Sequence, residues 1–542
     1  MTHYNRRNFL RASSLATASL ALTRKIAWSQ SASPSPQATT SSGKIRGAFI
    51  DGVNVFKAIP YGADTARTRF KPPIPPAPWS NVLDCTRFTT MAPQLSPARP
   101  RSELAPRVSR DVGVESEDCL HLNVWTAGLR DHARRPVLVY FHGGAYNNGT
   151  VTSDLYDGTR LVHRGDVVVV TVNHRLNAFG YLYLGNLAPE YAASGNVGQL
   201  DLILALKWVR DNIAEFGGDP SRVLIFGQSG GGAKCATLMA TPAASGLFHR
   251  VMTMSGQQIK GASIQIASDR AKTVLEKMGV TPGKNLAAQL NAITMEQIQT
   301  AARAVSPDWL PVVDHIVLPR NPFDPDAPKL SERIPMILGN VHDETAMPVH
   351  PASITWDNAA QVLSTAVSQY LGPYTAEQVV AKYREIYPNY TPDQVDTAAA
   401  TAFRAWPGQR WEAERRARNP VSQPHTWVYQ MNFPGANGKA MHTIDIPFMF
   451  DNIAMADVQI GASRDQLAAA NALAATMSSM LIHYGRTGNP NFAGIPNWPA
   501  YRLNTRATMI WDRTPHIEND PRHAERLFAD KSHYHQAGTP LP

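Results

Sequence analysis

The sequence is poor in charge and has no long apolar run. Charged residues make up only 18% of the 542 residues and hydrophobic residues 43%, which excludes a disordered, collagen-like or coiled-coil protein. After the N-terminal segment, no uncharged apolar run approaches the roughly 18 residues of a membrane-spanning helix, so we expect no membrane span in the mature protein. A basic stripe interleaved with aromatic residues is missing, so nucleic acid is not an expected partner. Metal-ligand motifs, nucleotide-binding loops and redox pairs are missing too, so we expect no metal and no other cofactor.

Cysteine is scarce: Cys85, Cys119 and Cys235 are the only three. Three cysteines are compatible with an exported protein, in which a disulfide can form outside the reducing cytoplasm. A bridge between Cys85 and Cys119 would close one loop and contribute roughly 3–4 kcal/mol in the chain-entropy model. Cys235 would then remain a thiol, although the residues alone leave other pairings open.

The N-terminus lacks acidic residues and concentrates positive charge. The first 30 residues hold five basic residues, and without them the net charge falls from +9 to +4, with 47 basic against 43 acidic residues. Arg6-Arg7 precede a mildly apolar run from Ala12 to Thr23, which is too short to span a bilayer. This order is that of an export signal, and the paired arginines resemble a twin-arginine signal, which exports folded proteins. We predict a signal peptide over residues 1–32 and a periplasmic or secreted protein; the alternative is a basic disordered tail.

Short β-branched runs alternate with helical patterns along the rest of the chain. The runs that predict buried strands are Leu120–Val124, Val137–Phe141, Val167–Val172, Val223–Phe226, Val251–Met254, Ile334–Leu338 and Thr426–Tyr429. Between them, Asp201–Phe216 has apolar residues at helical spacing and ends at a glycine pair. The alternation predicts an α/β fold with a mostly parallel central sheet and crossover helices. We expect a single domain over residues 33–542, with large helical insertions at roughly 257–333 and 346–425.

A glycine-rich turn follows the Val223–Phe226 run. Gly227-Gln228-Ser229-Gly230-Gly231 has the pattern G-x-S-x-G, and the segment after it has helical character. Strand, sharp turn and helix form the context that exposes a nucleophilic serine, because glycines permit the strained turn and the helix N-terminus favours negative charge. Ser229 is therefore the candidate nucleophile. The alternative is a glycine-rich turn with an incidental serine.

A second glycine-rich turn, His142-Gly143-Gly144-Ala145, follows the Val137–Phe141 run. Its backbone N–H groups are candidates for an oxyanion hole, in which each donor lowers the barrier by ~3 kcal/mol. The N–H group of Gly230, directly after the serine, would complete the set. The alternative is a tight turn whose glycines only save space.

Several stretches resemble the type-B carboxylesterases, the α/β-hydrolase family that includes cholinesterases and bacterial para-nitrobenzyl esterases. The resemblance runs from about residue 43 to 525. It rests on VFKAIPYG, SEDCLHLNVW, YFHGGAYNNG, VNHRLNAFGYL, GNVGQLDLILALKWVRDNIAEFGGDPSRVLIFGQSGGG, PVVDHIVLP, GNVHDET, the segment around His442, and TGNPN with WPAY. It implies an α/β-hydrolase fold and an esterase activity.

The resemblance also implies roles for particular residues. It implies that Cys85 and Cys119 form a disulfide, and that Gly144, Ala145 and Gly230 form the oxyanion hole. The family usually has a third glycine where this chain has Ala145. Alanine still offers its N–H group, so we expect the hole to persist with an altered loop.

The acid and the base are expected after the serine, in that order along the chain. The resemblance indicates Glu344, in GNVHDET, as the acid, and the adjacent Asp343 is its rival on the residues alone. His442 follows the Thr426–Tyr429 run and matches the family histidine.

These residues predict a serine esterase that cleaves small-molecule carboxylic esters through an acyl-enzyme. Ser229 would attack the carbonyl carbon, His442 would act as general base, and Glu344 would orient the imidazole. The same triad serves amides, carbamates and thioesters, which remain alternatives, as does a non-catalytic, adhesion-type relative.

The loop Thr86–Asp118 bears on substrate charge. In cholinesterases a tryptophan in this loop binds quaternary ammonium, but here Phe88 is the only aromatic residue. The family also commonly has glutamate just before the nucleophile, where this chain has neutral Gln228. We therefore expect little preference for choline esters over uncharged esters.

Overall fold

The apolar runs of the sequence form the strands of one large sheet. The structure, a computed structural model, describes residues 35–95, 114–305, 309–346, 353–532, 534–536 and 538–539, so the predicted signal peptide lies outside the described residues. The strands are β1 Gln37–Thr40, β2 Gly43–Arg46, β3 Ala48–Ile50, β4 Val53–Pro60, β5 Leu83–Asp84, β6 Thr90–Met91, β7 Val114–Glu115, β8 His121–Thr126, β9 Arg135–Phe141, β10 Val168–Val172, β11 Gly218–Gln228, β12 Arg250–Met254, β13 Ala262–Ser263, β14 Val312–Val313, β15 Met336–Val341, β16 Thr426–Met431, β17 Ala507–Trp511 and β18 His516–Asn519.

Helices connect most of these strands. They are α1 Thr159–Gly165, α2 Asn177–Tyr181, α3 Val197–Asn212, α4 Gly230–Met239, α5 Ile264–Met278, α6 Leu286–Ala292, α7 Met295–Arg303, α8 Ala359–Val367, α9 Ala376–Ile386, α10 Pro392–Ala400, α11 Trp406–Arg418, α12 Asp445–Met449, α13 Asp457–Ile460, α14 Arg464–Thr487 and α15 His523–Ala529. Helices α5–α7 fall between β13 and β14, and α8–α11 between β15 and β16. From Pro36 onward the chain forms one compact unit.

The central sheet has eleven strands, in the order β18-β17-β16-β15-β12-β11-β9-β10-β8-β4-β3. The strands from β17 to β10 pair in parallel. Strand β18 at one edge and strands β8, β4 and β3 at the other pair antiparallel. The predicted α/β fold with a mostly parallel sheet is confirmed.

Alternate side chains of the central strands enter different cores. In β9, Val137, Val139 and Phe141 belong to the apolar cluster that includes α3, whereas Leu138 and Tyr140 belong to the cluster that includes α14. This period of two is that of a strand covered on both faces. The sheet therefore holds its carboxyl-end loops on a support packed from both sides.

The predicted disulfide between Cys85 and Cys119 is wrong, because all three cysteines are free thiols buried in the core. Burial raises the pKa of the Cys85 thiol to about 12 and the pKa of the Cys119 thiol well above its ordinary value. The loop between them is held by the pairing of β6 with β7 and by the Thr90 hydroxyl, which donates to the Asp118 carbonyl. Cys235 is a buried thiol, as predicted.

Neither a membrane span nor a metal cluster is found in the described part of the chain. No helix there is long and apolar enough to cross a membrane. The longest described helix, α14, has 24 residues. Across the same residues, no three His, Cys, Asp or Glu side chains come together in a group able to hold a metal ion.

Candidate active site

Ser229 lies in the turn between β11 and α4. Strand β11 ends at Gln228 and α4 begins at Gly230, so the serine is the single residue between them. Its backbone has φ 55° and ψ −125°, a conformation that is strained for an L-residue. The Ser229 N–H group donates to the Met254 carbonyl at 2.7 Å, and the Ser229 carbonyl accepts from the Ala233 N–H group at 3.1 Å. These bonds hold the turn, in which Ser229 is half-buried.

Glycines around the turn are required because other backbone segments come very close. A Cβ atom on Gly231 would overlap the carbonyl oxygen of Phe141, at the end of β9, and one on Gly256 would overlap the carbonyl oxygen of Ser229. A Cβ atom on Gly143 would lie 3.3 Å from the Cβ atom of Ser229. The loop after β9 therefore lies directly beside the candidate nucleophile.

Three backbone N–H groups beside Ser229 have no hydrogen-bond acceptor within the residues that the structure describes. Those of Gly144 and Ala145 lie in the loop after β9, and that of Gly230 lies at the start of α4. Gly144 and Ala145 have φ values of 91° and 52°. Gly230 packs directly on Ala145, since a Cβ atom at Gly230 would overlap the Ala145 carbonyl oxygen. Successive N–H groups in such left-handed turns form a concave site that suits an anion. The three predicted oxyanion donors are thus brought together beside Ser229.

Glu344 and His442 follow the neighbouring strands β15 and β16. Oε2 of Glu344 lies 2.5 Å from Nδ1 of His442, and Oε1 accepts the Val341 N–H group at 2.9 Å and the Asn340 amide at 3.3 Å. The side chain of Glu344 is 3% exposed and that of His442 is 36% exposed. Burial opposes the charged imidazolium, but the nearby Glu344 carboxylate outweighs it and raises the pKa of His442.

Asp343, the rival acid, has other partners. Its Oδ1 atom lies 2.9 Å from Nδ1 of His342, and its Oδ2 atom accepts the Ala440 N–H group at 2.8 Å. Burial opposes its charge, yet the hydrogen bond with His342 lowers the pKa of Asp343. Of the two acidic residues, Glu344 is therefore the one that contacts His442.

No direct hydrogen bond joins Ser229 to His442 in the described part of the chain. Nε2 of His442 lies 3.2 Å from the amide nitrogen of Gln228, the residue directly before Ser229. Hydrogen bonds between catalytic groups are often long in unliganded enzymes and shorten when substrate is bound.

Two buried ionisable residues border the site, and neither belongs to a motif that predicts a catalytic role. Asp445 follows His442 by three residues and accepts the Tyr429 hydroxyl at 2.8 Å; burial raises the pKa of Asp445 to about 7. Lys234, in α4, is fully buried and donates to the Ala145 carbonyl at 2.8 Å. The signal that could have found them is a charged residue inside a segment of apolar or small residues, IDIPFMF and GGGAKCATLMA.

Several known proteins with similar sequences and structures are named as esterases. Residues 34–529 match the model of the carboxylesterase family. The chain is 34% identical to the para-nitrobenzyl esterase of Bacillus subtilis, over 91% of this chain and 98% of that protein. It is 30% identical to a human cocaine esterase, over 86% of each.

Two solved structures extend this likeness to the fold. A carboxylesterase from Geobacillus stearothermophilus is 32% identical and has a TM-score of 0.76, covering 91% of this chain and 99% of that one. An esterase from Clostridium hathewayi, described as able to hydrolyse aliphatic aromatic polyesters, is 31% identical with a TM-score of 0.76, covering 92% and 98%. The expected α/β-hydrolase fold is confirmed. The chain belongs to the carboxylesterase family and hydrolyses carboxylic esters.

Proposed function

We propose that Ser229, His442 and Glu344 perform this hydrolysis as nucleophile, general base and orienting acid. The observation that carries the proposal is the 2.5 Å contact between Nδ1 of His442 and Oε2 of Glu344. A carboxylate at Nδ1 selects the tautomer whose Nε2 atom is free to accept a proton. The strands β11, β15 and β16 run parallel and end at the same edge of the sheet, which supports a shared site for the three residues.

The reaction then proceeds through an acyl-enzyme. His442 takes the hydroxyl proton as the Ser229 oxygen attacks the ester carbonyl carbon. Glu344 stabilises the imidazolium that results, and His442 passes the proton to the leaving alcohol. A water molecule, deprotonated by His442, next attacks the acyl-enzyme and releases the carboxylic acid and Ser229.

The unpaired N–H groups of Gly144, Ala145 and Gly230 supply the oxyanion hole in this proposal. The carbonyl oxygen gains negative charge in each tetrahedral intermediate, and preorganised donors stabilise it without reorganising. Their position between the loop after β9 and the start of α4 supports this role. The helix N-terminus adds a favourable dipole at the same point.

Replacement of the nucleophile tests the proposal. Ser229→Ala should lower kcat on a nitrophenyl ester by at least about 10³-fold, since loss of a triad member removes the covalent route. A fluorophosphonate should label the wild type, and mass spectrometry should locate the adduct on Ser229. Ser245→Ala, at an exposed serine in the turn after α4, is the matched control and should keep full activity. An adduct on another residue would contradict the assignment.

A second test concerns the kind of bond that the enzyme cleaves best. Amides, carbamates and thioesters use the same triad; amides and thioesters differ from an ester in the leaving group, and carbamates differ in the acyl group. Nitrophenyl esters, nitroanilides and thioesters of one acyl group should be compared by kcat/KM. We expect the ester to be the best substrate; a faster anilide would identify an amidase.

We propose, from the sequence, that residues 1–32 direct export to the periplasm or the medium. The paired arginines before an apolar run support this proposal. Changing Arg6 and Arg7 together to lysine should retain the enzyme in the cytoplasm, as measured by esterase activity in cell fractions. Unchanged export of this variant would contradict a twin-arginine route.

A further inference from the structure

Lys234 is a lysine with no exposed surface, on the helix behind the candidate nucleophile. Its Nζ atom donates to the Ala145 carbonyl at 2.8 Å and to the His142 carbonyl at 3.2 Å. The same atom lies 5.3 Å from the centre of the Tyr146 ring. Within the part of the chain that the structure describes, no carboxylate pairs with it.

Burial of the Lys234 ammonium at this position costs free energy. A buried ammonium without a carboxylate partner loses its hydration, and the first turns of a helix carry positive partial charge that repels it. Burial lowers the pKa of Lys234 to about 7, and both protonation states keep two N–H groups for the two carbonyls. The two hydrogen bonds therefore persist whichever state is present.

The loop that Lys234 contacts contains a strained residue. Ala145 has φ 52°, a left-handed conformation that an L-residue with a Cβ atom adopts at a cost. The Ala145 peptide also packs on Gly230, so a shift of this loop would displace two of the proposed oxyanion donors together. The conformation of Ala145 needs support from its surroundings.

The carbonyl groups of residues 142–145 are all engaged in hydrogen bonds. Lys234 binds those of His142 and Ala145, and Nδ1 of His142 lies 2.8 Å from that of Gly143. Burial, aided by the charge of Lys234, lowers the pKa of His142 to about 3, so its neutral ring donates from Nδ1. The Gly144 carbonyl accepts from two backbone N–H groups, those of residues 147 and 148. Lys234 thus engages two of the four carbonyl groups of this loop.

We propose that Lys234 is a positioning residue that holds Ala145 in its left-handed conformation and thereby fixes the donors of the oxyanion hole. The inference rests on the proposed function. The oxyanion hole acts on the tetrahedral intermediate and not on bound ester. Loss of the two Lys234 hydrogen bonds therefore lowers kcat and leaves KM nearly unchanged.

A double-mutant cycle between Lys234 and Ala145 tests the proposal. Lys234→Met removes the amine at similar length and should lower kcat on a nitrophenyl ester about 10–100-fold, with KM within about twofold. The inhibition constant of a trifluoromethyl ketone, whose serine adduct places an oxyanion in the hole, should rise by a similar factor. Glycine adopts positive φ freely, so with Ala145→Gly already present the loss caused by Lys234→Met should shrink to about threefold or less.

Cys235→Ala is the matched control, because Cys235 is equally buried on the same helix and makes no contact with the loop carbonyls; its kcat should match the wild type. The proposal is overturned if Lys234→Met leaves kcat unchanged, raises KM alone, or costs the same factor with and without Ala145→Gly. If Lys234→Met does not fold, Lys234→Leu, which likewise has no donor, is carried through the same cycle with the same criteria. Failure of the nucleophile assignment would show separately, as a fluorophosphonate adduct away from Ser229.

Discussion

At the scale of single residues, two adjacent carboxylates receive different partners because the chain turns between them. Glu344 faces His442, while Asp343 is held by His342 and the backbone of Ala440. Asp343 thus joins the loop after β15 to the loop that carries His442. One carboxylate orients the base and the other holds the loop on which the base lies.

Glu344→Gln should lower kcat by about 10³–10⁴-fold, because the imidazolium loses its charged partner. The pH profile should change as well. The Glu344 carboxylate raises the pKa of His442, and the base works only when neutral, so wild-type kcat/KM falls as the pH drops through that raised pKa. With glutamine the pKa of His442 falls, and the acidic limb of the residual kcat/KM should move to lower pH.

Asp343→Asn is the matched comparison, since asparagine keeps an acceptor for the Ala440 N–H group. It should cost less than about tenfold in kcat, because the His442–Glu344 contact remains. A larger loss in Asp343→Asn than in Glu344→Gln would make Asp343 the triad acid.

The three buried thiols give a direct chemical prediction. Burial raises the pKa of all three, and the thiolate is the reactive form. An aromatic disulfide reagent should therefore find no reactive thiol in the native mature enzyme and three after unfolding without reductant. Detection of only one thiol in the unfolded, unreduced protein would restore the Cys85–Cys119 disulfide.

At the scale of elements, the segment Thr86–Asp118 offers little to a cationic substrate. Its one aromatic residue, Phe88, already has the Lys57 ammonium 4.3 Å from its ring centre. Gln228, before the nucleophile, brings an uncharged amide to His442. Neither feature attracts quaternary ammonium.

We expect butyrylcholine and its uncharged analogue 3,3-dimethylbutyl butyrate to be hydrolysed with similar kcat/KM. A cation–π contact contributes about 0.5–2 kcal/mol, and ~1.4 kcal/mol is tenfold in rate. A choline preference above about tenfold would indicate a cation site formed by another part of the chain.

The sequence predicts strands well where apolar runs are continuous. It predicts them less well where only hydrogen bonding to a neighbouring strand defines the strand's ends. The run Val167–Val172 became β10 almost unchanged. Strand β11 instead begins at Gly218, five residues before the predicted Val223, because Gly218 pairs with Arg135 across an irregularity in the ladder. No local pattern marks that pairing.

The residues of the active site also differ in how well the sequence predicts them. The elbow at Ser229 was readable because strand, glycines and helix are contiguous in the sequence. The contact of Glu344 with His442 joins residues 98 apart, so only the family resemblance indicated it. The resemblance failed for Cys85 and Cys119, whose loop is closed by strand pairing, and Lys234 was missed because buried lysines are rare.

At the scale of the whole molecule, the eleven-stranded sheet places the proposed nucleophile centrally. Strand β11 is the sixth of the eleven, has β9 and β12 as parallel neighbours, and is covered on both faces. The helices α8–α10 form an apolar cluster of their own outside these two cores. The apolar packing of these helices is therefore separate from that of the sheet, although the Thr397 carbonyl of α10 accepts the Thr345 hydroxyl beside Glu344.

The central position of β11 has a consequence for amide hydrogen exchange. Its backbone amides, shielded by strands on both sides and helices on both faces, should exchange only when the whole molecule unfolds, whereas those of α8–α10 should exchange through local openings. Mass spectrometry of deuterated peptides should show residues 223–228 protected longest and residues 359–400 labelled earlier. Equal protection of both segments would contradict this. On heating, esterase activity should fall as α10 loosens, before the sheet unfolds, because Thr397 of α10 bonds to Thr345 beside Glu344 and to Lys439 in the loop that carries His442.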